Sequence, residues 1–179
     1  MIIRPAGPED AEALAAIYGH HVREGFGTFE ETPPNAAEME RRRAAIAGRG
    51  LPYLVAALGP RILGYAYAGP FRPRQAYRYT VEDSVYVSPD AIGRGVGRAV
   101  LAAVLDQCEA LGVRQVVAVI GDSGNAASIG LHKTLGFEPA GVGRGLGFKH
   151  GRWVDIVWMQ KALNGGQDGA PQGPGIRLD

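Results

Sequence analysis

Residues 84–101 read Ser84-Val-Tyr-Val-Ser-Pro-Asp-Ala-Ile-Gly-Arg-Gly-Val-Gly-Arg-Ala-Val-Leu101, and this stretch decides the fold. A β-rich run ends at Ser88-Pro89, and a glycine-rich turn, Gly93-Arg94-Gly95-Val96-Gly97-Arg98, follows it at once. Beyond the turn, Val96, Val100, Val104, Cys108 and Leu111 recur at helical spacing and predict an amphipathic helix. Strand, glycine turn and helix form a layout for holding an anion. Glycine lets the backbone approach a ligand closely and take unusual φ. The N–H groups that open a helix point at the ligand, and the helix dipole adds roughly half a positive charge there. Arg94 and Arg98 add full charges, so a pyrophosphate is the expected guest. A glycine-rich turn that binds nothing would show the same local pattern, so the loop alone does not decide between them.

Elimination narrows the guest. No Walker run of Gly-x-x-x-x-Gly-Lys-Ser/Thr exists in the chain. The dinucleotide fingerprint Gly-x-Gly-x-x-Gly also fails, because Arg98 stands at its last glycine. What remains is Gly-Arg-Gly-x-Gly behind a strand.

Working outward, residues 2–4 predict a short strand, and Asp10 to Tyr18 a helix whose first turn holds Pro8, Glu9 and Asp10. Asn35-x-x-Glu38 resembles a capping box and opens a second helix to about Ala47. Leu51–Leu58 and Arg61–Ala68 predict a hairpin about Gly59-Pro60, and Tyr77–Val87 a long strand. After the helix that Gly112 stops, Val113–Ile120 is a β-branched run and so a buried central strand. Asn125–Leu135 predicts a helix ended by Gly136, and a strand or hairpin fills 138–163. Paired strands in the first half and alternating strands and helices in the second predict an α/β fold, a mixed sheet with helices on both faces. Residues 164–179 are rich in glycine and proline without periodicity and predict a disordered tail.

Bulk properties exclude several classes. The 179 residues suit one domain, and 19 basic against 18 acidic residues leave no basic field to draw in nucleic acid. The single cysteine, Cys108, excludes an intrachain disulfide and falls in the apolar stripe as a buried hydrophobe. No apolar run approaches the roughly 20 residues of a membrane span, and Met1-Ile-Ile-Arg-Pro5 lacks the make-up of a signal peptide, so a cytoplasmic location is expected. No histidine or carboxylate pair has metal-ligand spacing, so no metal is expected.

The glycine loop resembles the acetyl-CoA loop of the GCN5-related N-acetyltransferases, the GNAT superfamily, whose pattern is Gln/Arg-x-x-Gly-x-Gly/Ala. Ile92 departs from it at the first position. A second segment strengthens the resemblance. Asn125, Ser128, Leu131, His132, Gly136 and Phe137 match the order Asn-x-x-Ser/Ala-x-x-Leu-Tyr/His-x-x-x-Gly-Phe/Tyr of that superfamily. Together the two cover about residues 2–163, read as one GNAT domain at 1–163. A narrower resemblance lies in Tyr77-Arg-Tyr-Thr-Val-Glu-Asp-Ser-Val-Tyr-Val-Ser-Pro89, in Gly69-Pro-Phe-Arg-Pro-Arg74 and in Phe148-Lys-His-Gly-Arg-Trp-Val-Asp155. These are similar to the phosphinothricin and methionine sulfoximine acetyltransferase branch.

That resemblance implies a central sheet of about six to seven strands that splays between its two middle strands. It also implies acetyl-CoA as donor, a small amino-acid analogue as acceptor, and a homodimer. Acceptors on a protein N-terminus or a polyamine, or a module that binds acetyl-CoA without turnover, stay open. The resemblance places the thioester against the backbone of Val85, Tyr86 and Val87. The pyrophosphate falls at Gly93, Arg94, Gly95, Val96, Gly97 and Arg98, and further contacts at Asn125 and Ser128.

Glu82 is the candidate base. Strand alternation puts Glu82, Ser84 and Tyr86 on one face and Val81, Val85 and Val87 on the other. Burial would raise its pKa from an ordinary value of about 4.3 towards a useful range. His132 stands where many superfamily members carry a tyrosine thought to protonate the departing thiolate, and both Glu82 and His132 are expected to point into the cleft. An imidazolium, ordinarily near pKa 6.5, can give a proton to a thiolate whose thiol titrates near 8.5; a neutral imidazole can instead accept one from the amine. Arg72 and Arg74 suit a bidentate grip on the acceptor's carboxylate. Phe29, Glu30, Tyr77 and Trp153 are weaker candidates for pocket walls. His20 and His21 carry no motif that assigns them a role.

Overall fold

The computed structural model describes residues 1–179. In chain order the elements are β1 (Ile2–Pro5), α1 (Ala11–Glu24), α2 (Ala36–Gly48), β2 (Tyr53–Leu58), β3 (Arg61–Pro70), β4 (Thr80–Val87), α3 (Val96–Ala110), β5 (Gln115–Gly121), α4 (Ala126–Thr134), β6 (Glu138–Lys149) and β7 (Arg152–Ala162). The order matches the expected one. The main difference is α1, which runs on past Tyr18 to Glu24 because Val22 is buried on the same stripe as Leu14 and Ile17. His20 and His21 are therefore helical. Tyr77 falls in a short 3₁₀ turn before β4 rather than in the strand.

All seven strands form one sheet in the order β1-β2-β3-β4-β5-β7-β6. Only β4 and β5 pair in parallel, since α3 crosses between them. Their pairing is short. It runs from Thr80↔Gln115 to Asp83↔Ala118 and stops, although β4 continues to Val87 and β5 to Gly121. Past that rung β4 is held only by β3 and β5 only by β7. The two central strands part, and a wedge opens between them, as expected.

Helices cover both faces. Val96, Val100, Leu101, Val104, Leu105 and Cys108 of α3 pack on Val81, Val116 and Ala118, with Ile129 and Leu131 of α4 beside them. Leu14, Ile17, Tyr18 and Val22 of α1 and Met39 of α2 pack on Tyr53, Val55 and Tyr65 of the opposite face. Each fully buried aliphatic side chain contributes about 1.5–3 kcal/mol, so the stripe of α3 outweighs its short, glycine-broken start. Leu111, read as part of that stripe, is the C-cap and is largely exposed. Cys108 is buried as expected, and burial, then the charge of Asp83, pushes its thiol up to about 12.

Residues 164–179 contain no helix or strand, yet this tail is tied to the body. Arg114, buried, donates from Nε to Gly166 O at 2.7 Å and from Nη2 to Asp168 O at 2.7 Å. Ile176 N–H reaches Arg78 O at 2.7 Å, and Tyr79 Oη reaches Gly173 O at 2.6 Å. Composition does not show such anchors, because the donors sit elsewhere in the chain.

Candidate active site

The wedge between β4 and β5 is a cleft of about 570 Å³. Residues from both faces of β4 line it, with Asp83, Val85 and Val87 on one side and Ser84 and Tyr86 on the other, so the gap passes through the sheet. Backbone direction follows from four bonds. Ser88 N–H donates to Leu63 O and Thr80 O accepts from Phe71, so even-numbered residues of β4 turn their polar groups to β3. Tyr79 O accepts from Arg114 and Gln115, so odd-numbered ones turn to β5. The N–H groups of Val85 and Val87 therefore point into the gap, where β5 no longer meets them.

The glycine loop closes one end. Gly95 is the N-cap of α3 with φ 76°, a left-handed conformation that favours glycine. No side chain caps the helix, and its first backbone bond is Ala99 N–H to Gly95 O. The N–H groups of Val96, Gly97 and Arg98 thus have no partner in the helix. Gly93, Gly95, Val96, Gly97 and Arg98 line the cleft; Arg94 does not. Asn125 and Ser128 also line it. Asn125 does so while capping α4, its Oδ1 accepting from Ser128 N–H at 3.1 Å.

The other end is covered by Gly25, Phe26 and Gly27. A Cβ on Gly121 would lie 1.9 Å from Phe26 O, so only glycine lets this segment cross the end of β5. Lys149, almost wholly buried, donates from Nζ to Gly25 O and Thr28 O, each at 2.8 Å, and holds the segment down. Burial lowers its pKa, against the charges of Glu31 and Glu30. His21 joins the lining from α1, its Nε2–H donating to Val87 O at 2.9 Å.

His132 lies in the cleft wall, but neither of its ring nitrogens is free. Nδ1 is 2.7 Å from Ser128 O, and a carbonyl only accepts, so Nδ1 carries a proton. Nε2 is 3.0 Å from Asp83 Oδ2. The expectation that Glu82 and His132 share the cleft needs correction. Period two sends Glu82 out of the face opposite to His132 and brings Asp83 to it instead. Glu82 is outside the lining, one position beyond Ser84 on the face of Ser84 and Tyr86, and half-buried. Burial raises its pKa, Arg72 opposes this, and Asp83 adds to it.

Of the expected acceptor residues, Arg72 lies beside Glu82, Nη1 to Oε2 3.9 Å, with its guanidinium over the Phe71 ring. Tyr77 packs edge-on against the same ring at 5.6 Å. Arg74 is exposed at the start of that 3₁₀ turn. Glu30 is not a wall of the cleft: its carboxylate accepts from Arg42 Nη1 at 2.6 Å and from Tyr18 Oη at 2.8 Å. Burial would raise its pKa, but these bonds hold it below the usual carboxylate range. Phe29 packs against Gly147 of β6, and Trp153 stands exposed against Phe148; neither lines the cleft. The sequence reading missed Asp83, His21, Lys149 and the 25–27 segment. A charge at Asp83, between Val81 and Val85 on an apolar face, was the one signal available for the first.

A split parallel pair, inward N–H groups and an uncapped glycine turn are the construction of a coenzyme-A-dependent acyl transferase. The family model of the acetyltransferase (GNAT) domain matches residues 3–158, and the chain belongs to this family of N-acetyltransferases. It is 52% identical over 170 residues, 95% of this chain and 86% of the other, to a phosphinothricin N-acetyltransferase of Alcaligenes faecalis. It is 43% identical to an L-methionine sulfoximine/L-methionine sulfone acetyltransferase of Pseudomonas paraeruginosa, covering 90% of this chain and 94% of that one. A solved phosphinothricin acetyltransferase from Sinorhizobium meliloti, in complex with acetyl-CoA, superposes with a TM-score of 0.92 at 46% identity, covering 96% of this chain and 92% of that one.

Proposed function

We propose that this enzyme moves the acetyl group of acetyl-CoA to the α-amine of a small amino-acid analogue of the phosphinothricin, methionine sulfoximine or methionine sulfone type. The observation that carries it is the pairing of Glu82 with Arg72, 3.9 Å apart on the face of the sheet where Ser84 and Tyr86 open the gap. An α-amino acid bears an ammonium and a carboxylate on one carbon. A carboxylate beside a guanidinium is the complementary arrangement. A polyamine would call for acids without the arginine. The relatives that act on such analogues support the same reading.

The donor's pyrophosphate belongs at the N–H groups of Val96, Gly97 and Arg98, with the Arg98 guanidinium beside them. Its pantetheine arm belongs in the wedge against β4. The N–H of Val85, which points into the gap, stabilises the charge that develops on the thioester oxygen. Glu82 takes a proton from the acceptor's ammonium on one face of the sheet, directly or through a water. The neutral amine attacks through the gap. His132 stands on the other face, where the thiolate departs and needs a proton.

A thiol-release assay tests this with one acceptor offered as free acid, as amide and beside a polyamine. Turnover of the free acid well above that of the amide and the polyamine is the expected result; preference for the polyamine, or no turnover with any amine, overturns it. A homodimer accompanies the reading. Val142, Leu146, Phe148 and Trp153 on the β6–β7 hairpin are exposed apolar side chains that such a contact would cover. Sedimentation at micromolar concentration checks it, a monomer being the contrary result.

A further inference from the structure

Asp83 has no role in the chemistry described so far, and its surroundings are unusual. Its side chain is 1% exposed and that of His132 is 3% exposed. It occupies the last paired rung of β4 and β5, opposite Ala118, at the floor of the cleft. Its Oδ1 is buried without a hydrogen-bond partner, so the side chain's one hydrogen bond is to His132 through Oδ2. A carboxylate buried this far is strongly unfavourable unless something compensates it.

The hydrogen-bond arithmetic at this pair is constrained. Ser128 O fixes a proton on Nδ1. Nε2 and Oδ2 at 3.0 Å are then two acceptors face to face unless one proton lies between them. The pair as a unit holds that proton. It rests either on Nε2, as imidazolium and carboxylate, or on Oδ2. The Phe137 ring packs perpendicular to the imidazole, the two centroids 5.0 Å apart.

We propose that Asp83 is a positioning residue for His132 and keeps on its Nε2 the proton that the departing thiolate of coenzyme A takes up. This rests on the acetyl-transfer reading above. As the carbonyl carbon–sulfur bond breaks, its electron pair goes to sulfur. Sulfur replaces Asp83 Oδ2 as the acceptor of that proton, since both His132 and Asp83 line the cleft: the Nε2–H bond breaks, an S–H bond forms, and the electron pair stays on Nε2. Neutral imidazole now faces the Asp83 carboxylate without a proton between them. The nitrogen that has formed the new C–N bond sheds its second proton, which restores that one directly or through solvent, while the proton taken by Glu82 leaves on the other face. One proton is released for each acetyl group transferred.

The groups that face the pair agree with this. From α3 come the Cys108 thiol and, further along the cleft wall, Arg98; from β4 comes Glu82, on the far side of the sheet; β5 presents Ala118, which does not titrate. Burial works against the imidazolium, but the hydrogen bond and charge of Asp83 outweigh it and raise the His132 pKa above its ordinary value. Burial raises Asp83 too, against the pull of His132. Both directions make the pair keep its proton as pH rises.

The experiment is the pH profile of kcat for wild type and Asp83→Asn, beside an NMR titration of the His132 ring. The asparagine amide can donate to neutral Nε2 and so favours loss of its proton. We expect the alkaline limb and the His132 titration to move down together by about one pH unit or more, with acetyl-CoA affinity kept within about twofold. A donor whose thiol is less basic should narrow the deficit. In a His132→Gln background, Asp83→Asn should leave the profile where it is. The proposal is overturned if wild-type His132 titrates near an ordinary value of about 6.5. It is equally overturned if Asp83→Asn lowers only stability and leaves the limb unmoved. The titration needs no turnover, so a chain that acetylates no amine but titrates as expected refutes the acetyl-transfer reading and not the pairing.

Discussion

Glu82 and Asp83 are adjacent in sequence and leave β4 on opposite faces of the sheet, Glu82 towards Arg72 at 3.9 Å and Asp83 towards His132 at 3.0 Å. Burial raises the pKa of both. Their partners differ in kind. An arginine cannot share its proton, so Glu82 beside it is an acid–base group with a free hand. A histidine can, so Asp83 is bound into a unit. In the proposed reaction, because the wedge lies between these faces, one strand supplies the proton acceptor for the incoming amine and the anchor for the outgoing thiolate's proton.

The first prediction concerns the donor. Gly95 has φ 76° and nothing within 4 Å of where a Cβ would stand, so the space beside it is open for a ligand. Gly95→Asp puts a negative charge and a strained residue at the uncapped start of α3. Calorimetry should show acetyl-CoA binding lost by 100-fold or more on the order-of-magnitude scale of a charged-group penalty, with the far-ultraviolet spectrum unchanged. Binding within threefold of wild type would remove the loop from the donor site.

A second prediction separates the acceptor from the donor. Arg72→Ala removes the guanidinium next to Glu82. A hydrogen bond to a charged group contributes about 1.5–3 kcal/mol, so kcat/KM for a free-acid acceptor should fall roughly 10- to 100-fold. The KM for acetyl-CoA should stay put, and an amide of the same acceptor, already poor, should lose little more. Equal losses for acid and amide would mean that Arg72 does not grip the carboxylate.

Lys149 provides a third. Its ammonium bonds two carbonyls of the 25–28 segment and no side chain, and the segment forms one end of the cleft. Lys149→Met keeps the length and apolar stem but leaves Gly25 O and Thr28 O without their donor. Amide exchange should rise across residues 25–30 and the KM for acetyl-CoA should increase several-fold, while exchange in α3 stays as it was. Unchanged protection at 25–30 would show that Phe26, packed over Gly121 and under Arg152, holds the segment without the lysine.

The reach of sequence reasoning follows the range of the interactions. The order of elements was legible because period and caps are local: Val96 to Cys108 mark α3, and the Val113–Ile120 run marks β5. The splay came from resemblance, since nothing in the composition of Ser84–Val87 says that β5 stops pairing at Ala118. Asp83 was overlooked because its partner is 49 residues away and meets it only once α4 lies on the sheet. Glu30 was misplaced for the same reason: Arg42, 12 residues on, turns back from α2 to claim its carboxylate. Lys149 reaches across 121 residues to Thr28, and no period or spacing could show it.

The last prediction concerns the base, and its sign can be worked out in full. Burial raises the Glu82 pKa, and in the proposed reaction the base is its carboxylate. Activity is therefore lost as pH falls through the raised value, and the acid limb of kcat/KM should lie above the ordinary carboxyl value of about 4.3. Glu82→Gln keeps the shape and removes the base. The loss should be about 10²- to 10⁴-fold, in kcat, with acetyl-CoA affinity nearly unchanged. Alkaline conditions should restore part of it, since solvent then supplies neutral amine. Stability moves the other way. A carboxyl whose folded pKa is raised favours folding below its unfolded pKa, and that contribution is lost as pH rises through the folded value. At pH 7 the ionised Glu82 therefore works against the fold, and Glu82→Gln should melt no lower than wild type there, and lower relative to wild type at pH 4. The side chain is 35% exposed, so the difference will be small. A glutamine variant with wild-type kcat across pH 6 to 9 would mean that the amine is deprotonated elsewhere, and one that melts well below wild type at pH 7 would mean that Glu82 holds the structure rather than serving the reaction.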